Sequence, residues 1–158
     1  MGSSGDQANR GFIHPRQLLW KLTDATRQFR QRQLLTADQA LGRKGEDLAH
    51  RYLRGKGLQI MARNFRLPDG SGEIDIVART ATTLVFVEVK ARRSSAYGAP
   101  ERAIDPEKQR RIIRAARSYV LRCGADWSLV RFDIVAIVFT NPPSVTHYED
   151  AFFPKRTI

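Results

Sequence analysis

Apolar residues return at two different periods along this chain, and the change of period divides it into elements. From about Arg16 to Leu35, Leu18, Leu19, Leu22, Ala25 and Phe29 recur at helical spacing, with Lys21, Arg27, Arg30 and Arg32 among them. A second helical run is sharper. Thr36-Ala37-Asp38-Gln39 has the form of a capping box, Leu41, Leu48, Ala49, Tyr52 and Leu53 make an apolar stripe, and Gly57 supplies a stop. Gly42 and Gly45 fall inside this helix, where each costs about 1 kcal/mol against alanine. The expected compensation is close approach to a neighbouring element.

The period then falls to two. Strands are predicted over Leu58–Phe65, Glu73–Arg79 and Leu84–Arg92, with Pro68-Asp69-Gly70-Ser71-Gly72 as the turn between the first two. A loop containing Tyr97-Gly98-Ala99-Pro100 leads to another helix, with Asp105 as its N-cap, Pro106 at its first position and Gly124 after its last turn. Ile112, Ile113, Ala116, Tyr119 and Val120 form its core face. Val130–Phe139 reads as a strongly apolar fourth strand ended by Pro142-Pro143, and Val145–Glu149 as a short edge strand. The order α–β–β–β–α–β, with an extra N-terminal helix, predicts an α/β sandwich around a mixed sheet, because the helical crossover before the fourth strand allows parallel pairing. The expected organisation is a basic extension over 1–36, one domain over 37–153 and a tail over 154–158.

Charge changes this picture more than composition does. With 158 residues and 42% apolar content the chain can build a core without disulfides or structural metal, and the single Cys123 fits a reducing compartment. The longest apolar run, Ile134 to Phe139, is far too short for a membrane span, and no leader pattern opens the chain, so a cytoplasmic protein is expected. The net charge of +11 favours polyanionic partners, nucleic acid before an anionic membrane. Basic groups outnumber acidic ones by six to two in residues 1–36, eleven to seven in 37–100 and seven to three in 101–123, but only three face four in 124–158. The Arg16–Leu35 helix reads as an amphipathic element docked on the body, a targeting segment or a nucleic-acid tracking arm.

Candidate chemistry lies on the strands. Alternation sends Leu84, Phe86, Glu88 and Lys90 to one face of their strand, and Glu73, Asp75 and Val77 to one face of theirs. A hairpin through Thr80–Thr83 then brings Asp75 near Glu88. Two carboxylates ~4 Å apart repel by about 4 kcal/mol at an effective dielectric near 20. A proton, Lys90 or a divalent cation therefore belongs between them. Oxygen ligands with open positions suit Mg²⁺ or Mn²⁺, and with a lysine alongside this is the chemistry of a metal-dependent phosphodiesterase. The plainer reading makes Glu88 and Lys90 an exposed ion pair. A strand that is apolar on both faces, as a buried central strand would be, weighs against it.

Asp75, twelve intervening residues and Glu88-Val89-Lys90 resemble the D…E-x-K signature of the PD-(D/E)XK nucleases. The wider set is more specific: Gly42-Arg43-Lys44-Gly45-Glu46, Arg63-Asn64-Phe65-Arg66, Gly72-Glu73-Ile74-Asp75-Ile76-Val77, Phe86-Val87-Glu88-Val89-Lys90-Ala91-Arg92, Tyr97-Gly98, Lys108 and Arg131-Phe132-Asp133. Together they resemble the bacterial YraN-like family of predicted endonucleases, related to archaeal Holliday-junction resolvases and Mrr-type restriction endonucleases, over residues 37–153. The resemblance implies a restriction-endonuclease-like αβββαβ core with flanking helices. It implies Asp75 as central metal ligand, Glu88 as second ligand, the Val89 carbonyl as a further oxygen donor, Glu46 as auxiliary acid and Lys90 as catalytic lysine. The proline that often precedes the first acid is replaced by Ile74.

Other positions have competing readings. Glu46 could be an ordinary solvated helix residue, and Glu73 reads as structural rather than as a ligand. Asp133 with Arg131 reads as a structural pair, His147 as ordinary and Cys123 as a small core residue. Arg110, Arg111, Arg114 and Arg117 share one helix face opposite the apolar stripe, either as a solvated basic face or as a phosphate track with Arg92 and Arg93. Lys108 is a candidate for approach to the scissile phosphate. The expectation is a Mg²⁺- or Mn²⁺-dependent endonuclease acting on DNA, branched or structured DNA included; the resolvase relatives work as symmetric dimers, but the sequence offers no clear dimer patch, so a homodimer and a monomer both stay open. The alternatives are a nucleic-acid-binding protein that keeps the fold without cleaving, and an interaction protein whose N-terminal helix recruits an acidic partner or membrane.

Overall fold

The structure, a computed structural model, describes residues 36–94 and 104–153. The helix expected over Arg16–Leu35 and the loop through Tyr97–Pro100 lie outside the described residues. The fold below is that of the unit beginning at Gln39.

The first described helix, α1, covers residues 36–55. Residue 36, the first described, is already helical. Its end is as expected. Gly57 takes φ +86°, and the Leu58 and Gly57 amides donate back to the Leu53 and Arg54 carbonyls at 3.0 and 2.9 Å, the pairing of a Schellman stop.

Strands β1 (Gln59–Arg66), β2 (Glu73–Arg79) and β3 (Leu84–Arg92) follow as two antiparallel hairpins. Helix α2 (Pro106–Cys123) crosses over to β4 (Val130–Val138), which pairs parallel with β3, and β5 (Ser144–Tyr148) closes the edge antiparallel to β4. Asp105 caps α2 by accepting from the Glu107 and Lys108 amides, and Gly124 ends it in the left-handed region. The five strands lie in the order β1-β2-β3-β4-β5. This is the expected α/β architecture, a mixed sheet flanked by helices and consistent with a restriction-endonuclease-like core.

Alternation assigns the two faces. Ala49 and Leu53 of α1 pack with Ile76, Ala78, Val85, Val87, Val135 and Ile137. On the other face Ile112, Ala115, Ala116 and Val120 of α2 pack with Val77, Phe86, Phe132 and Ile134. β3 and β4 are thus buried on both sides, which explains their near-continuous apolar runs.

Strict alternation fails near one end of β1 and β2. Ala62 and Phe65 are three residues apart yet both pack into the α2 cluster, and so do Val77 and Ile74 opposite them. Between Ala62 and Phe65 lies Asn64, at φ +51°. One left-handed residue in a strand reverses which face the following side chains meet.

The glycines of α1 behave differently from each other. A Cβ on Gly45 would lie 2.6 Å from the Ala91 Cβ, so α1 approaches β3 there as expected, whereas Gly42 has nothing within 4 Å and compensates for no close approach. Gly72 permits the matching contact on the other face, since a Cβ there would meet the Arg111 carbonyl at 2.5 Å. Cys123 also departs from expectation. It is exposed in the last turn of α2, three residues beyond the buried Val120. Among the described residues no helix is long and apolar enough to cross a membrane.

Candidate active site

Pairing between β2 and β3 ends at Ile76↔Val87, and the next position along carries Asp75 on one strand and Glu88 on the other. Asp75 Oδ2 accepts the Val89 amide at 2.8 Å. A carboxylate thus takes the place of a backbone acceptor where the strands part. Glu88, with 11% of its side chain exposed, has Oε1 3.2 Å from Lys108 Nζ, while its Oε2 is buried without a hydrogen-bond partner. Lys108 also lies 3.7 Å from Glu73 Oε1, and Glu73 Oε2 takes Arg66 at 3.1 Å.

The electrostatics follow from this crowding. Burial, and then the neighbouring Asp75 charge, push the Glu88 carboxyl up to about 7 against the pull of Lys108. Burial also raises Asp75. The Val89 amide and Lys108 oppose that rise, while Glu46 and Glu73 add to it. Burial works against the Lys108 ammonium, but Glu88, Asp75 and Glu73 together hold it above its usual value. Asp75 and Glu88 are close enough to contest one proton, as a coupled pair of acids does.

Glu46 reaches this cluster from α1, beside the close approach that Gly45 allows. Its Oε2 accepts from Asn64 Nδ2 at 3.0 Å and lies 3.9 Å from Arg63, whose shorter contact is Asp47 at 2.7 Å. Lys108 comes from α2 on the opposite face of the sheet. The parted ends of β2 and β3 therefore receive side chains from both helical layers.

The fold brings together Asp75, Glu88 and Lys108, with Glu73 beside them and Glu46 near enough to act on Asp75. Lys108 belongs to this acid cluster and not to the exposed basic face of its helix. Lys90 is partly buried further along β3, level with Ala136 of β4. The Val89 amide faces Asp75, and its side chain packs in the α1 cluster. Arg92 ends β3 and Arg93 is exposed just beyond it. On α2, Arg110, Arg111 and Arg114 line an open groove of about 440 Å³ against Gly70 and Ser71, and Arg114 Nη1 donates to the Ser71 carbonyl at 3.3 Å. Arg117 turns away from them, 5.6 Å over the Trp127 ring. An apolar hollow of about 410 Å³ beside Thr80–Leu84 lies at the far end of the β2–β3 hairpin from the acids.

The donor chemistry fits a hard divalent cation. Carboxylate oxygens are the preferred ligands of Mg²⁺ and Mn²⁺, and one of them here is a buried oxygen with no partner. As the side chains stand, no three His, Cys, Asp or Glu among the described residues form a metal-holding group. The fit therefore rests on the Asp75–Glu88 pair. Sequence reasoning assigned no role to Asn64 beyond its place in Arg63-Asn64-Phe65-Arg66; its physical signal was that Asn tolerates left-handed backbone better than other non-glycine residues.

A second polar cluster is separate from these acids. Asp133 is fully buried and accepts from Arg131 Nε and Nη2 at 2.9 Å each, lies 2.8 Å from His147 Nε2, and takes the Asp150 amide at 3.0 Å. It ties β4 to β5 and to the turn after it, so His147 is part of a buried network.

Residues 45–137 match the family model described as uncharacterised protein family UPF0102. A UPF0102 protein of Solibacter usitatus is 50% identical over 111 residues, which cover 70% of this chain and 84% of the relative. One from Desulfosudis oleivorans is 47% identical over 119 residues, covering 75% and 94%, and one from Persephonella marina is 45% identical over 111 residues, covering 70% and 91%.

Proposed function

The chain belongs to the uncharacterised protein family UPF0102, the YraN-like family, and from its acid cluster we propose that it is a cytoplasmic, Mg²⁺- or Mn²⁺-dependent endonuclease that hydrolyses phosphodiester bonds in DNA, branched or structured DNA included. The observation that carries this reading is the Asp75–Glu88 pair, with one buried carboxylate oxygen left without a partner and the Glu88 carboxyl pushed up to about 7. Groups arranged to repel one another in a fold are found where a ligand or a proton relieves them.

When bound, Mg²⁺ or Mn²⁺ polarises a phosphodiester and acidifies water. Asp75 and Glu88 would hold it, with the Val89 carbonyl and Glu46 as further oxygen donors. Lys90 matches the catalytic lysine of the PD-(D/E)XK signature and would orient the attacking water. Lys108, fixed by Glu88 and Glu73, carries positive charge to the place where negative charge develops on the phosphoryl group. Arg110, Arg111 and Arg114, joined by Arg92 and Arg93, hold the backbone by its phosphates, which fixes position without reading bases. A homodimer belongs to the same proposal, since two opposed cuts in a branched substrate need two sites.

The test is incubation of the purified protein with Mg²⁺ and with Mn²⁺ on linear, nicked, flapped and four-way DNA. Cleavage lost in Asp75→Ala and Lys90→Ala supports the reading; equal behaviour of wild type and variants on every substrate removes it. One observation favours the alternative of a nucleic-acid-binding protein that does not cleave: Lys108 already pairs with Glu88 at 3.2 Å, where a cation would sit. Calorimetric titration with Mn²⁺ separates the two. The nuclease binds the ion and loses it in Glu88→Ala, and the binding protein shows no such uptake.

A further inference from the structure

Asn64 stands opposite Asp75 in the β1–β2 ladder, at the place left unpaired between Arg63↔Ile76 and Phe65↔Ile74. Its backbone is left-handed, at φ +51°. Glycine adopts that conformation at no steric cost, so the turn-over of β1 by itself asks for glycine and not for asparagine. What asparagine adds is an amide. That amide donates to Glu46 Oε2 at 3.0 Å, across eighteen positions of sequence and between two elements.

The other contact of Glu46 is long. Arg63 lies 3.9 Å from it and is held at 2.7 Å by Asp47, so the short hold on Glu46 is the Asn64 amide. The held carboxylate is 18% exposed and acts on Asp75 through its charge. Asn64 thus performs two linked tasks. Its backbone reverses the facing of β1 beside the acids, and its side chain fixes the third carboxylate near them.

We infer that Asn64 is a positioning residue of the acid cluster, which uses its left-handed backbone and its side-chain amide to hold the Glu46 carboxylate on the α1 side of the Asp75–Glu88 pair, as an acceptor for the water shell of a divalent cation held by that pair. The inference rests on the cation reading for the purpose of that carboxylate, and the geometry of the hold is independent of it. Asn64 touches no reacting atom on this view; it acts through Glu46.

The experiment uses the full chain with Asn64→Gly, Glu46→Gln and the two combined. Asn64→Gly keeps the backbone conformation and removes only the amide. It is expected to unfold no lower in temperature than wild type, and to weaken Mn²⁺ binding in calorimetry by about 10-fold or more, the usual effect of losing a ligand's hydrogen-bonding support. Glu46→Gln is expected to weaken binding similarly, and the double variant no more than the weaker single one. Asn64→Asp, which keeps tolerance of the left-handed region but turns the donor into a like charge, is expected to lose at least as much as Asn64→Gly. In parallel, the Asn64 side-chain amide resonance is expected to move on Glu46→Gln.

Unchanged Mn²⁺ affinity in Asn64→Gly, losses that multiply in the double variant, or an unmoved amide resonance would each overturn the inference. A lowered unfolding temperature with affinity intact would do so as well, since it makes Asn64 structural. If wild type takes up no Mn²⁺, the cation reading fails, and the resonance alone decides whether Asn64 holds Glu46.

Discussion

Lys108 Nζ and Glu88 Oε1 meet at 3.2 Å, a contact that joins the first turn of α2 to the middle of the sheet. The Glu88 carboxyl remains raised to about 7 despite it, because burial and Asp75 outweigh the lysine. The contact therefore moderates a conflict that the sheet creates and does not remove it.

A pH dependence of stability follows. Between the ordinary carboxylate range and about 7, the folded protein keeps a proton on this pair that the unfolded chain has released. Stability from this source is present at low pH and is lost as pH rises through that window. Glu88→Gln removes the loss, so its unfolding free energy is expected to exceed that of wild type by about 1–3 kcal/mol at pH 8 and by much less near pH 4.5. Urea denaturation across the range measures it. A constant difference at all pH values contradicts the burial argument.

The two glycines of α1 make a second test. Gly42→Ala is expected to stabilise by roughly 0.5–1 kcal/mol, because alanine is the better helix former and the site is open. Gly45→Ala gains the same propensity but drives a Cβ to 2.6 Å from Ala91, so a net loss of about 1–2 kcal/mol is expected. Thermal unfolding of the two variants should move in opposite directions.

Asp133 offers a third. Replacing it with alanine leaves the partly buried Arg131 and the buried His147 without their shared carboxylate. A loss of about 3 kcal/mol is expected, the usual result of stripping one member from a buried charge network. Loss of hydrogen-exchange protection in β5 and the turn that follows should exceed that in β1, because Asp133 fastens the former.

Arg111 and Arg114 supply a fourth. If they meet phosphates, each change to alanine should lower the slope of log affinity against log salt by about 1, and weaken binding alike for unrelated DNA sequences. Arg117→Ala should alter that slope less, since its guanidinium lies over Trp127. Fluorescence anisotropy over a salt series reads both.

Much of this was legible in the residues. β2 and β3 have the bounds that alternation predicts, Asp105 and Gly124 cap α2 as their types require, and the Thr80–Thr83 hairpin sets Asp75 beside Glu88. What escaped depends on contacts that no local pattern encodes. Gly42 and Gly45 look alike in a helix, and only the passage of Ala91 beneath one of them tells them apart. Lys108 sits among arginines in sequence, yet the phase of α2 turns it toward Glu88 while Arg110 and Arg111 face outward. The two-residue period itself breaks in both strands, at the Ile60–Ala62 irregularity and Asn64 in β1 and between Ile74 and Val77 in β2, so a reading built on that period assigns Ile74 to the wrong face.

Asp75 binds the Val89 amide through its side chain, which makes it mortar in the sheet whether or not it is also, as proposed, a reagent. Selection for a well-knit sheet would keep an acid here even in a lineage that had abandoned catalysis. On the nuclease reading, persistence of this aspartate among relatives is therefore no certificate of turnover, whereas loss of Glu88, whose carboxylate pairs with Lys108 and not with the strand ladder, would be the earlier mark of an enzyme falling silent.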